Sequence, residues 1–281
     1  MNNATHPYNS NYAHSPLTAR IPHHSRSARY SVINSTDIIE RMKAHGLELT
    51  SIQKTRVRDN SREGYQKHLM RFKPTFTVPA IAGHDHEVLV INSHDGSSSY
   101  RMLAGLIRFA CSNGIIVGDF STEVKIRHVG MTDGKLAQGL KEVFATFETQ
   151  KRVVEQMQSF TPTPLQIAHV ATEIARERIA KRKGSFDHKL TLSTVMGAKR
   201  DADAGLDLWT MFNRIQESVI RGGIAYKYKT IERDEKTGSE KTKRHNRHTK
   251  EVKGIDQQQE LNRMVFNKCF ALLALNNALS V

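Results

Sequence analysis

Six consecutive residues, His94-Asp95-Gly96-Ser97-Ser98-Ser99, put a histidine, a carboxylate and three hydroxyls one residue after the run "VLVIN". Several chemistries use such groups. A serine nucleophile needs a general base in reach and a third group to orient that base. No G-x-S-x-G elbow is present, and His94 and Asp95 are neighbours in sequence, whereas triad members are usually brought together by the fold. A hydrolase using His94 and Asp95 therefore stands as an alternative only. A metal site would draw on His84, Asp85, His86, His94 and Asp95. The two ends of that set are separated by an extended stretch of some eight residues at about 3.3 Å each, too far to share one ion. No metal or other cofactor is expected. The reading that fits best is a strand running into a helix over 97–111. Asp95 caps that helix, Gly96 permits the turn, and the N–H groups of Ser97, Ser98 and Ser99 present a phosphate site at its N-terminus. It is not a Walker A loop.

On that expected helix Arg101 and Arg108 are seven apart and share a face, with Gly105 between them. A bare glycine flanked by two arginines admits a nucleic-acid backbone, or equally another segment of the same protein. A second cationic region lies towards the C-terminus. From Arg221 to Lys253 there are 11 Lys and Arg against 5 Asp and Glu. Lys241, Lys243, Arg244 and Arg247 hold much of this charge, and Tyr226 and Tyr228 precede them in "AYKYK", which alternates like a β-arm. Phosphates on the cations and bases on the tyrosines would suit a single strand; a solvated flexible loop has the same composition. A third set comprises the outward cations of an expected hairpin at 51–73: Lys54, Arg56, Arg58, Lys67, Arg71 and Lys73.

The elements that must position these groups follow from periodicity. "STDIIERMKAHG" reads as a helix capped by Ser35 or Thr36 and ended by Gly46. "LTSIQKTRVR" and "GYQKHLMRFKP" flank a polar turn, as hairpin arms do. "HEVLVIN" is a buried strand, and 115–130 gives one or two more. From Thr132 the period becomes helical: a long helix to residue 160, a break at Thr161-Pro162-Thr163-Pro164, a helix ending in cations near 183, one closed by Gly222-Gly223, and a last one with Asp256 as its cap. The fold class is α+β: a β-rich N-terminal half with a central helix, then a mainly helical C-terminal half. Residues 1–30 read as a disordered polar tail. Residues 31–281 read as a single α+β domain, with a β-rich core at 31–131 and a helical portion at 132–281 carrying the basic loop 224–253.

The chain has 281 residues and a formal net charge of +14, an excess that favours polyanionic partners. No run of 18 apolar residues offers a membrane span, and the polar N-terminus is no secretory signal. Cys111 and Cys269 sit in apolar patterns, as reduced packed thiols in a cytoplasmic setting do.

Longer stretches resemble a known family. "LVINSHDGSSSYRMLAGLIRFACSNGIIVGD", "VKIRHVG", "DLWTMFNRIQESVIRGG" and "VKGIDQQQELNRMVF" look like the plasmid- and prophage-borne proteins grouped as domain of unknown function 932, or uncharacterised protein family 0380, over roughly 50–275. The resemblance implies a cytoplasmic protein of a mobile element and carries over no catalytic residues. The order of elements is also loosely similar to the single-strand annealing proteins of phage recombination. The expectation is a non-enzymatic protein that binds nucleic acid, foremost single-stranded DNA, in recombination or replication, with a homo-oligomer possible. The alternative partner is a host or phage protein, bound in anti-defence.

Overall fold

A computed structural model of the chain describes residues 15–108, 114–115, 123–126, 133–180, 189–233 and 240–279. By contact the chain divides into two compact units: Met1–Ala80 with His84–Ile107 and Ser121–Phe147, and Ile81–Gly83 with Arg108–Phe120 and Glu148–Val281. The boundary at 131–132 expected from periodicity falls inside the first.

The first unit is a sheet with two helices. Its elements are α1 (Ser35–Ala44), β1 (Leu47–Lys54), β2 (His68–Pro74), β3 (His84–Asn92), β4 (Tyr100–Arg108), β6 (Val124–Ile126) and α2 (Asp133–Ala145); β5 (Gly114–Ile115) lies between β4 and β6 in the chain. The strands run β1-β2-β3-β4, with β6 paired to β4. The hairpin expected at 51–73 is present, with β1 antiparallel to β2. Met70, Phe72, Val88, Val90, Met102 and Ala104 meet Ile38 and Met42 of α1 and Leu136, Leu140 and Val143 of α2 in one core. α2 comes close because Gly139 lacks a side chain: a Cβ there would stand 2.2 Å from the end of Met102 and 3.0 Å from Val124. Asn34, not Ser35 or Thr36, caps α1, accepting from the N–H groups of Thr36 and Asp37.

The central helix expected over 97–111 is instead β4. The reason is burial on both faces: Met102, Leu103, Ala104 and Leu106 are all sequestered, and a strand covered on both sides reads as a continuous apolar run. Length and spacing alone do not separate that run from a buried helix. The N-terminal segment also differs from expectation where it is described. From residue 15 it packs on the end of β3: Leu17 joins the core, the Tyr30 hydroxyl donates to Ser93 O at 2.9 Å, and His23 N donates to His94 O at 3.0 Å. Burial pushes the Tyr30 hydroxyl up to about 12. Residues 1–14 and Cys111 lie outside the described residues.

The expected long helix breaks at Thr146, whose hydroxyl turns back to Val143 O at 2.7 Å, giving α2 and α3 (Phe147–Ser159). The second unit goes on with α4 (Pro164–Ala180), β7 (Lys189–Leu190), α5 (Ser193–Met196), α6 (Leu208–Arg221), β8 (Ala225–Arg233), β9 (Glu240–His248) and α7 (Ile255–Leu279). Thr163 and Gln166 cap α4 reciprocally. α6 is buried along nearly its whole length and packs on α4 and α7. Arg200 grips Glu217 with two hydrogen bonds, 2.8 and 2.7 Å, which hold that carboxyl below the usual glutamate range. In the first unit burial outweighs Arg71 and pushes the Glu87 carboxyl up. α7 begins at Ile255, so Asp256 sits in its first turn rather than at the cap. Cys269 is buried there, its thiol pushed up to about 12 by burial. Among the described residues no helix is long and apolar enough to cross a membrane.

Candidate nucleic-acid interface

The segment expected to be a basic loop forms a β-ribbon. β8 pairs antiparallel with β9 from Ala225↔His248 to Arg233↔Glu240, and β7 adds to the other side of β8 at Lys189↔Lys227 and Leu190↔Tyr226. The base of the ribbon is fixed by Gly222, at φ 84°. A Cβ at Gly222 would stand 2.6 Å from Thr249 O, where the chains on either side of the ribbon meet. Gly223 N then donates to Thr249 O and Thr249 N to Ile224 O, at 2.8 and 3.0 Å.

Side chains alternate between the two faces of a strand, and directly paired residues share a face. One face therefore carries Lys189, Lys227, Lys229 and Arg244, with Asn246 and His248. On it Lys189 stands directly opposite Lys227, and Lys229 directly opposite Arg244. Among the described residues none of these four cations pairs with a carboxylate, and they line a concavity of about 510 Å³ together with Tyr228 and Asn246. The other face carries Tyr226, Tyr228 and Thr230 opposite Arg247, His245 and Lys243. Tyr228 stacks on His245 at 4.6 Å, and Thr230 Oγ1 bonds His245 Nε2 at 2.8 Å. Tyr226 is only 6% exposed, so its ring takes no base; Tyr228 is half-buried. The pairing runs on to Glu232↔Lys241 and Arg233↔Glu240.

The His94–Ser99 segment connects β3 and β4, buried at His94 and Asp95 and exposed at Gly96 and Ser97. His94 is fully buried, its Nε2 donating to Pro16 O at 2.7 Å. Asp95, almost as buried, accepts from Ser97 N at 2.9 Å and faces Arg62 at 3.5 Å, so it closes a turn and caps no helix. Ser98 N is taken by Ser93 Oγ at 2.9 Å. With no helix beginning here, the phosphate site expected at Ser97, Ser98 and Ser99 is not formed. A serine–histidine pair does exist nearby, between residues not foreseen for it. Ser35 Oγ donates to His68 Nε2 at 2.7 Å, and His68 Nδ1 donates to Gln66 O at 3.0 Å. Both side chains are fully buried, and burial lowers His68 to about 3. The hydroxyl also accepts from Asn92 Nδ2 at 2.9 Å. The pair binds α1 to the sheet, with no opening for a substrate. Among the described residues no three His, Cys, Asp or Glu side chains gather as metal ligands would.

The family model for the domain of unknown function 932 matches residues 22–266. The chain belongs to this family. It is similar to two UPF0380 proteins of Escherichia coli (strain K12): YafZ, 34% identical over 253 residues, and YfjQ, 33% identical over 253 residues. Each match covers 89% of this chain and 85% of the relative. No solved structure matches. In this member of the domain of unknown function 932 family, the matched span takes in both the buried turn at Asp95 and the basic ribbon.

The remaining arginines named from sequence go to different places. Arg71 is tied to the buried Glu87 at 2.5 Å. Arg101 lies on β4 and meets Glu123 at 3.2 Å, so its premise of a shared helix face with Arg108 is overturned. Arg108 ends β4, and its side chain lies outside the described residues. Arg56 and Arg58 are exposed in the connection after β1. Of the ribbon cations, Lys241, Lys243, Arg244 and Arg247 are all exposed. Sequence reasoning missed Lys227, Lys229 and Lys189. The first two were legible: in "AYKYK" the lysines alternate with the tyrosines, so they must share a face that the tyrosines leave. Lys189 carried no such signal, because its place beside Lys227 comes from a two-residue strand.

Proposed function

We propose that this protein binds single-stranded DNA with little sequence preference, as a non-enzymatic accessory of a mobile element in recombination or replication. One observation carries the reading: on one face of the ribbon, cations stand directly opposite cations, Lys189 to Lys227 and Lys229 to Arg244. Like charges facing each other across a sheet are destabilising. A phosphate between them turns that repulsion into attraction. Successive cations on one strand face are about 6.6 Å apart. That is close to twice the axial rise of about 3.4 Å per phosphate along one strand of a duplex, and an extended single strand matches it better. A bank of lysines with one arginine supplies point charges without base-specific geometry. The mobile-element setting rests on the family resemblance. The hydrolase reading on His94 and Asp95 has less support, since both side chains are buried and His94 Nε2 is taken up by Pro16 O.

Fluorescence anisotropy with a labelled oligothymidylate, titrated across salt, tests the proposal. Four phosphate contacts give a log–log salt slope of about −3, at about −0.7 per contact to a single strand. Absence of binding at low salt, or binding that ignores salt, overturns it. Tighter binding of a duplex than of a single strand moves the reading to groove recognition by a β-ribbon.

A further inference from the structure

We infer that the β8–β9 ribbon takes a single strand of nucleic acid on each of its two faces, so that one protein molecule holds two strands at once. The inference rests on the reading of the ribbon as a single-strand interface. It starts from what β9 lacks. A strand packed within the fold is mostly buried, as β2 is, with only Lys73 exposed along its length. In β9 every residue is exposed except His245, which is half-buried. Alternation sends consecutive exposed residues to opposite sides, so both faces of this strand are open.

The cations divide between those faces. Lys227, Lys229 and Arg244 lie on one with Lys189; Lys241, Lys243 and Arg247 lie on the other. Among the described residues no carboxylate pairs with Lys189, Lys227, Lys229 or Arg244. A strand lying along one face cannot reach the cations of the other, because the peptide ladder stands between them. The two banks are therefore separate sites. They also differ in kind. The first is a concavity lined by four cations with Tyr228 and Asn246, suited to phosphates. The second interleaves its cations with the Tyr228–His245 stack, so a strand there meets rings as well as charges. Two strands on opposite faces are held near each other and apart from pairing, with cations between their phosphates.

The test counts strands per chain. An oligothymidylate of about eight nucleotides, within the usual range of about 4–16 for a single-strand site, is titrated into the protein at low salt and the stoichiometry read by calorimetry and native mass spectrometry. The expected result is two strands per chain. K227Q/K229Q/R244Q and K241Q/K243Q/R247Q should each retain one, with the remaining site keeping its own salt slope. The charge-preserving K227R/K229R should retain both, which separates loss of charge from loss of the ribbon. One strand per wild-type chain, weakened by both triple variants, means a single strand wraps the ribbon and overturns the inference while leaving the single-strand reading intact. Two strands that neither triple variant removes place binding elsewhere and also overturn it. No salt-sensitive binding of any strand defeats the underlying reading instead.

Discussion

His68 shows at the scale of one residue what a buried serine–histidine pair does in this fold. Its ring is buried, its Nδ1 proton is held by Gln66 O, and its Nε2 accepts from Ser35. Geometry of this kind activates a nucleophile when a substrate can reach it. Here the same bonds satisfy groups that would otherwise be stranded in the interior. The burden shows in the titration. Burial lowers His68 to about 3, so the folded state holds it neutral where the unfolded chain, with a pKa of about 6.5, takes up a proton. A histidine depressed in this way contributes stability above the unfolded value and loses it as pH falls towards the folded one. Urea denaturation across a pH series should therefore show stability declining from about pH 6.5 towards 3, with His68 adding up to about 1.4 kcal/mol per pH unit. In His68→Gln, which can still accept from Ser35, the decline should be shallower by that one proton. An unchanged slope would mean that other groups carry the acid sensitivity. His94 is buried in the same way, its Nε2 proton anchoring Pro16 O.

Strands and helices differed in how far the sequence announced them. The hairpin of β1 and β2 and the helices α1, α4 and α7 were legible from period, because each keeps an exposed side; α6, buried along nearly its whole length, was legible from its Gly222-Gly223 stop. β4 was not. Buried on both faces, it offers no alternation, and Asp95-Gly96 before it mimics a helix start. The ribbon was half legible. The alternation of "AYKYK" pointed to a strand, but "KTKRHNRHTK" has no apolar position to announce one. What makes β9 a strand is its partner, aligned by the turn at Gly222-Gly223. That gives Gly222 a role beyond permitting a positive φ. A side chain there meets the backbone of Thr249 and Lys250. Gly222→Ala should cost about 1–3 kcal/mol and loosen the pairing of Ala225 with His248, which hydrogen exchange at the base of the ribbon would report. Gly223→Ala, whose Cβ meets nothing within 4 Å, should cost less, since only its backbone conformation is strained. Equal effects of the two substitutions would remove the close approach as the cause.

For the molecule as a whole, the charge of +14 sets what it attracts, while its uneven placement sets where. Part of the cationic sequence is spent internally: Arg71, Arg101 and Arg200 serve Glu87, Glu123 and Glu217. Other cations face outward in many places, Arg56, Arg58 and Lys135 among them, and one group lies on a ribbon whose last strand, among the described residues, is paired on one side only. The outer margin of β9 thus presents a row of backbone donors and acceptors nine residues long. Such a margin is a template on which a second copy of the same strand can add, and proteins guard it with charge, lysine above all. In β9 the guard and the groups proposed to bind nucleic acid are the same side chains. Neutralising them should therefore have a second outcome besides weaker binding. K241Q/K243Q/R247Q should self-associate at low salt, visible as a rise in sedimentation coefficient with concentration, while a variant carrying glutamate at the same three positions stays monodisperse. If the glutamine variant sediments as the parent does, charge is not what keeps this margin apart. If it self-associates, solubility and recognition in this protein are one property, and the sequence of β9 is not at liberty to drift towards neutrality.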